Sequence, residues 1–388
     1  MRLSSRIPAS LEPNGLARIL SKRRAAGLSV LDLTESNPTR CGFSYPEAAI
    51  RAALGDPATL AYAPDPRGAP GARAAIAASL GNGVDPGDLV LTASTSEAYA
   101  WIFKLLADPG DDVLVPSPAY PLFTWLAALE GLETRRVPAF RFEGWHLDFE
   151  GLARACGART RALLVVNPNN PTGHYLKREE WKRLTEFCAE RSLVLVVDEV
   201  FADFPLEPPE APMGTVLEDP SPPCPTLVLS GLSKGALLPQ VKLGWIVARG
   251  PGRERILDRL EFIADQFLSP SASAQAAAPE ILRLAPDLRG QALRRLRNNL
   301  VRLDRALLPH PAWSRLPVEG GWSVVLRGPG LLEDEALAEG LLESRGVLVH
   351  PGSFFGFPDR GYLVVSLLPP ESDFESGLGL LLESYGRG

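Results

Sequence analysis

The stretch Leu193-Val194-Leu195-Val196-Val197-Asp198-Glu199 is apolar at five successive positions and then closes on two acids. Such a run fits a strand covered on both faces, which is how the strands of a largely parallel sheet read. Farther on, Thr226-Leu227-Val228-Leu229-Ser230-Gly231-Leu232-Ser233-Lys234-Gly235 repeats the form: an apolar strand, a turn, a charged side chain. The same signals continue outward. Leu89–Leu91, Asp112–Val115, Glu133–Arg136, Ala162–Val166 and Leu243–Val247 read as further strands, and Ser96–Leu106, Tyr120–Leu129 and Arg178–Arg191 as helices between them. Strand and helix in alternation predict an α/β fold with right-handed crossovers. Ligands of such sheets bind at the carboxyl edge.

The flanks differ in texture. Arg2–Ala26 reads as an arm with a short helix around Leu16–Arg24, and Val30–Leu33 as a short strand leading into the turn-rich loop Thr34–Arg40. Tyr45–Leu54 and Arg67–Leu80 have helical spacing. Pro205–Pro225 carries eight prolines and is expected to be irregular. Beyond Ser269, a long helix over Ile281–Leu308 carries the basic face Arg294-Arg295-Leu296-Arg297, read as solvated. Trp313–Arg327, Gly346–His350 and Tyr362–Leu367 follow as strands around a Leu332–Ser344 helix, an α+β arrangement. The expected division is 1–45 as an arm and small-domain segment, 46–268 as the large domain, and 269–388 as a smaller domain joined by the long helix.

Composition narrows the function. A net charge of −6 without a basic block gives nucleic acid no electrostatic footprint. No apolar run is long enough to span a membrane, and Met1–Ser10 lacks the apolar centre of a secretory signal. Cys41, Cys156, Cys188 and Cys224 are scattered, as free thiols of a reducing cytoplasm are. The four histidines are dispersed and form no HExxH pattern, so no metal site is expected.

Of 40 basic side chains only six are lysine, and one of them is Lys234. Arginine stays protonated, whereas a lysine amine with a lowered pKa is a nucleophile. An amine at one strand end and the Asp198 carboxylate at another can grip two ends of a flat ring. Pyridoxal phosphate requires that pair, a lysine for its aldehyde and an acid for its ring nitrogen. Three loops gain meaning beside them. Thr92-Ala93-Ser94-Thr95-Ser96-Glu97-Ala98 joins a strand to a helix with hydroxyls suited to a phosphate. Pro116-Ser117-Pro118-Ala119-Tyr120 puts an aromatic past another strand end. Asn167-Pro168-Asn169-Asn170-Pro171-Thr172-Gly173 places amides at a third.

In order, from about Leu31 to Leu367, these motifs resemble the class I/II aminotransferases, the fold-type I group of pyridoxal-phosphate enzymes. The resemblance implies a large domain with a mostly parallel seven-stranded sheet between helices, plus a smaller α+β domain. It implies that Lys234 holds the cofactor and acts as the base, that Asp198 meets the ring nitrogen, and that Asn170 meets the ring oxygen. Tyr120 falls where the stacking aromatic stands, and Ser94, Thr95 and Ser96 where the phosphate loop lies. Tyr62 matches the tyrosine that reaches a neighbouring subunit's phosphate, which implies a homodimer with shared sites. Amino acids and 2-oxo acids are the implied substrates, converted by a ping-pong route.

The departures are as specific. Phe201 stands where the family has a tyrosine, and Lys242 where it has a phosphate-binding arginine. Val364, in Tyr362-Leu363-Val364-Val365-Ser366, stands where an arginine clamps the substrate carboxylate. Arg40, and after it Arg67, are the expected substitutes. β-Lyases and decarboxylases share the fold and all these cofactor residues, so they remain open. Gly231-Leu232-Ser233-Lys234-Gly235 also fits the GxSxG elbow of serine hydrolases. That reading lacks an HGGG-type segment and leaves the Asn167–Gly173 loop unexplained. A non-catalytic cofactor-binding module would need a helix-turn-helix partner for which the chain leaves no room.

Overall fold

The computed structural model describes residues 4–141, 144–207 and 212–383. Its main sheet has seven strands: β1 (Leu89–Thr92), β2 (Asp112–Ser117), β3 (Glu133–Pro138), β4 (Thr160–Val166), β5 (Val194–Asp198), β6 (Thr226–Gly231) and β7 (Gly244–Arg249). Their order is β1-β7-β6-β5-β4-β2-β3. All neighbours pair in parallel except β7, which is antiparallel to β1 and β6.

The period-2 alternation of strands explains the continuous apolar runs. On β4, Leu163 and Val165 enter one core while Ala162, Leu164 and Val166 enter the core on the opposite face. Helices Thr95–Leu106 and Arg253–Asp265 cover the second face. Helices Pro70–Leu80 and Arg178–Glu190 cover the first. The sequence reading left out Arg253–Asp265, because charges surround its apolar positions Leu257, Leu260 and Ala264, although these recur at helical spacing.

The long helix runs Ala272–Leu307, starting earlier than the expected Ile281. Pro279 inside it hid that start, since proline ordinarily ends a helix. Ala277, Ala278, Ile281 and Ala285 pack into the main-sheet core, whereas Leu288, Ala292, Leu296, Leu300 and Leu303 pack into another. One helix is therefore built into two cores. The second contains a smaller sheet of β8 (Ser314–Arg315), β9 (Ser323–Arg327), β10 (His350–Pro351) and β11 (Tyr362–Ser366), ordered β8-β9-β11-β10. The N-terminal segment returns to it: Leu16, Leu33 and Cys41 are buried there, and Leu31–Asp32 pairs in parallel with Val347–Leu348. The expected strand Trp313–Arg327 is two strands, interrupted before Trp322 by Gly320-Gly321. Of the proline-rich connection, residues 208–211 lie outside the described residues, as does the start of the arm, residues 1–3.

A tight joint brings β9 to the edge of the main sheet. The amides of Glu319 and Gly320 donate to Gly173 O at 3.2 and 3.0 Å. A Cβ on Gly173, whose φ is +72°, would lie 2.5 Å from Val318 Cγ2 and 2.6 Å from Gly320 O. Only glycine permits that approach at that backbone angle.

Candidate active site

Five strand ends deliver side chains to one edge. β1 runs into the helix Thr95–Leu106, β2 is followed by Tyr120, β4 by the Asn167–Gly173 loop, and β5 ends in Asp198. β6 ends at Gly231, and the single turn Leu232–Gly235 then carries Lys234. A Cβ at Gly231 would sit 2.9 Å from Leu243 O, so glycine is what lets this turn lie against β7. The result is a cleft lined by Thr95, Ser96, Tyr120, Asn170, Asp198, Phe201 and Lys234, with Trp322, Ser323, His350, Val364 and Ser366 of the smaller sheet as its other wall.

Asp198 is 5% exposed. Its Oδ2 accepts from the Tyr99 hydroxyl at 3.1 Å and its Oδ1 from Val200 N at 3.0 Å. Burial pushes its pKa up to about 6, against the pull of those hydrogen bonds and of the Lys234 charge. Lys234 is affected in the opposite sense. Burial lowers its pKa to about 8, opposed by Asp198. Its Nζ lies 4.7 Å from the Trp322 ring centroid and 5.8 Å from that of Phe201. These rings form an apolar wall that also holds a cation. The adjacent acid, Glu199, points to the other face of the sheet, where Thr215 Oγ1, Val216 N and Asn167 Nδ2 donate to it at 2.5, 2.7 and 3.1 Å. Alternation along β5 thus leaves Asp198 alone facing the cleft.

Ser94 caps the Thr95–Leu106 helix, its Oγ accepting from Glu97 N at 3.2 Å, while Glu97 Oε2 accepts from Ala93 N at 2.6 Å. This reciprocal cap leaves the first-turn amides of Thr95 and Ser96 without intrahelical partners, and both residues line the cleft. A helix N-terminus with free amides and hydroxyls suits a phosphate. An amine of lowered pKa, a buried carboxylate and an anion site on one cleft fit pyridoxal phosphate in the chemistry of each donor.

Not every expected residue joins them. Lys242 is exposed in a left-handed conformation (φ 59°) two residues before β7 and does not line the cleft. Tyr62 is 84% exposed, beside Leu60 and Pro64 in a separate depression. Arg40 has a side chain 71% exposed and points to Glu35 at 3.8 Å. Arg67 is engaged elsewhere, by Glu261 at 2.5 Å and Asp258 at 3.2 Å. Neither arginine is among the residues lining this cleft, although Glu35–Thr39, just before Arg40, border Lys234 in a neighbouring depression. Sequence reasoning passed over Tyr99, Trp322, Ser323 and His350. Tyr99 had a signal, since it stands one helical turn after Thr95 and so shares its face. Among the described residues no cluster of three metal-ligating side chains occurs.

Fold and cleft together define the fold-type I transferase architecture. Residues 29–372 match the family described as Aminotransferase class I and II, and the chain belongs to that family. It is 31% identical to the S-alkyl-thiohydroximate lyase of Arabidopsis thaliana over 52% of this chain and 44% of the lyase. It is 28% identical to the alanine aminotransferase of Mycobacterium tuberculosis over 94% of this chain and 88% of that enzyme. The crystallised alanine aminotransferase from Pyrococcus furiosus superposes with a TM-score of 0.87 at 26% identity, covering 99% of each chain. The matched segment spans less than half the length of several curated relatives, including that lyase and two plant aminotransferases.

Proposed function

We propose that this chain is a pyridoxal-phosphate-dependent aminotransferase that moves an amino group between an amino acid and a 2-oxo acid in a ping-pong cycle. The observation that carries the reading is Lys234, with its pKa lowered to about 8, sharing a cleft with the buried Asp198. When bound, pyridoxal phosphate supplies an aldehyde that exchanges onto amines and a ring that accepts the electron pair left when the substrate loses its Cα proton. Lys234 Nζ is the attachment point and the base that removes and returns that proton. Asp198 holds the charge of the ring nitrogen, Asn170 meets the ring oxygen, and Tyr120 covers the ring face. Thr95 and Ser96 receive the phosphate, with Ser94 fixing their helix and Lys242 adding charge at the same sheet end. Phe201 packs beside Lys234 and gives the ring oxygen no donor.

The exposed Tyr62 is proposed to complete the phosphate site of a second copy, which makes the working unit a homodimer. Free cysteines agree with a cytoplasmic location. No described helix is long and apolar enough to cross a membrane.

The test is to load the purified protein with pyridoxal phosphate and pair amino donors with 2-oxo acids. Amino and oxo products should form in equal amounts. Release of ammonia with pyruvate, or of carbon dioxide, in place of a new amino acid would identify a lyase or a decarboxylase instead. Lys234→Ala should abolish both turnover and the visible absorption of lysine-bound cofactor.

A further inference from the structure

The cleft wall formed by the smaller sheet has its own polar pattern. Val364 and Ser366 are two apart on β11 and therefore share a face. Ser323 pairs across the ladder with Ser366, and His350 with Val364. Cross-strand partners project on the same side, and all four line the cleft with Lys234. Val364 is 1% exposed and offers no polar atom. Two hydroxyls and an imidazole surround it. Ser366 Oγ accepts from Leu368 N at 3.2 Å, which leaves its proton for a ligand. His350 Nδ1 is sealed from solvent and has no partner, so the other ring nitrogen is the one available to the cleft.

Lys234 and His350 are the only basic side chains among the described residues lining this cleft. A carboxylate entering here loses water and must regain hydrogen bonds. We propose that His350, with Ser323 and Ser366, receives the α-carboxylate of the amino donor and so determines specificity. This rests on the aminotransferase reading. Hydrogen bonds around Val364 replace a bidentate charged clamp. With Lys234 committed to the chemistry, this chain's described residues line the cleft with no further cation for a second carboxylate. The donors are therefore amino acids with uncharged side chains, packed against Phe355 and Leu122, which also line the cleft.

The test uses the cofactor-loaded protein. 2-Aminoisobutyrate has no Cα proton, so a spectral titration with it reads binding alone, and tert-butylamine is the same probe without a carboxylate. His350→Leu should raise the dissociation constant of 2-aminoisobutyrate at least tenfold, leave that of tert-butylamine unchanged and leave cofactor retention after gel filtration unchanged. His350→Gln should come back to within about threefold of wild type, since an amide N–H can replace the imidazole donor. Should His350→Leu not fold, Ser323→Ala/Ser366→Ala carries the same expectation. Unchanged binding in the folded variants overturns the proposal. So does tert-butylamine binding as tightly as 2-aminoisobutyrate, or a wild-type preference for L-aspartate over L-alanine and L-phenylalanine. If no amine perturbs the spectrum of the wild-type protein, the aminotransferase reading itself falls, and this inference with it.

Discussion

The hydroxyl of Tyr99 donates a 3.1 Å hydrogen bond to Oδ2 of Asp198 under the floor of the cleft. Both side chains are buried, and the Tyr99 ring is fixed between Phe103 and Phe123 at centroid distances of 5.9 and 5.0 Å. Burial holds the phenol pKa well above its ordinary value, so Tyr99 remains a donor throughout the working range. It stabilises the ionised form of an acid that burial drives toward neutrality.

Tyr99→Phe removes that donor at nearly constant volume. The Asp198 pKa should then rise above about 6, and less carboxylate is present near neutrality. Affinity for pyridoxal phosphate should fall roughly tenfold, or about 1.4 kcal/mol, in the range of a hydrogen bond to a charged group. Equilibrium dialysis between pH 6 and 8 checks this, with the larger loss expected at pH 6. Equal affinities for variant and wild type across that range would remove Tyr99 from the site.

Lys234 sets a second pH dependence. Its pKa is lowered from 10.5 to about 8, so the neutral, nucleophilic amine appears as pH rises through about 8. Mixing cofactor-free protein with pyridoxal phosphate should give a growth of visible absorbance whose rate climbs through that pH and levels off above it. A midpoint near 10.5 would mean that the amine is solvated and that the cleft does not tune it.

Asp198→Asn should separate stability from function. The folded pKa is raised, so the aspartate's contribution to stability is fully present below the unfolded value of 3.8 and is lost as pH rises through about 6. At pH 7 the cofactor-free protein carries the cost of a buried carboxylate. The amide lacks that cost, and the variant should be more stable without cofactor by about 1–3 kcal/mol. Turnover should drop by more than about tenfold, because an amide cannot hold a pyridinium charge. Urea melts of the cofactor-free proteins at pH 4 and pH 7 check the first claim. A stability difference equal at both pH values would count against it.

The parts of this molecule that were legible in the sequence are those its chain carries locally. Strands buried on both faces leave unbroken apolar runs, and β4, β5 and β6 each end at a residue or motif facing the cleft, so Asn170, Asp198 and Lys234 could be read in place. The opposite wall could not. Ser323, His350 and Ser366 meet through ladder register between distant strands, and Trp322 reaches Lys234 because Gly173 and Gly320 let two loops touch. The ion pairs of Arg67 were hidden too, because its partners Asp258 and Glu261 lie on a helix that charged residues concealed.

The Gly173–Gly320 joint allows a last test, of whether close backbone packing fixes the site. Gly173 ends the loop that carries Asn170, and its carbonyl receives two amides from the segment leading to Trp322. In Gly173→Ala the new methyl meets a backbone oxygen at 2.6 Å and the Val318 side chain at 2.5 Å, at a φ of +72°. A backbone contact cannot swing away as a flexible side chain can, so the loops must part. Gly252→Ala is the control, with φ +74°, a left-handed backbone and nothing within 4 Å of the added carbon. It should cost about 1 kcal/mol from the left-handed backbone alone. Gly173→Ala should cost about 2–4 kcal/mol, the range of overpacked or strained sites. It should also weaken cofactor binding, which the control leaves intact, because Asn170 and Trp322 move with the parted loops. Thermal melts and cofactor titrations of the two variants measure both effects. Equal destabilisation, with cofactor binding preserved in each, would show that the joint tolerates a methyl and does not position the cleft.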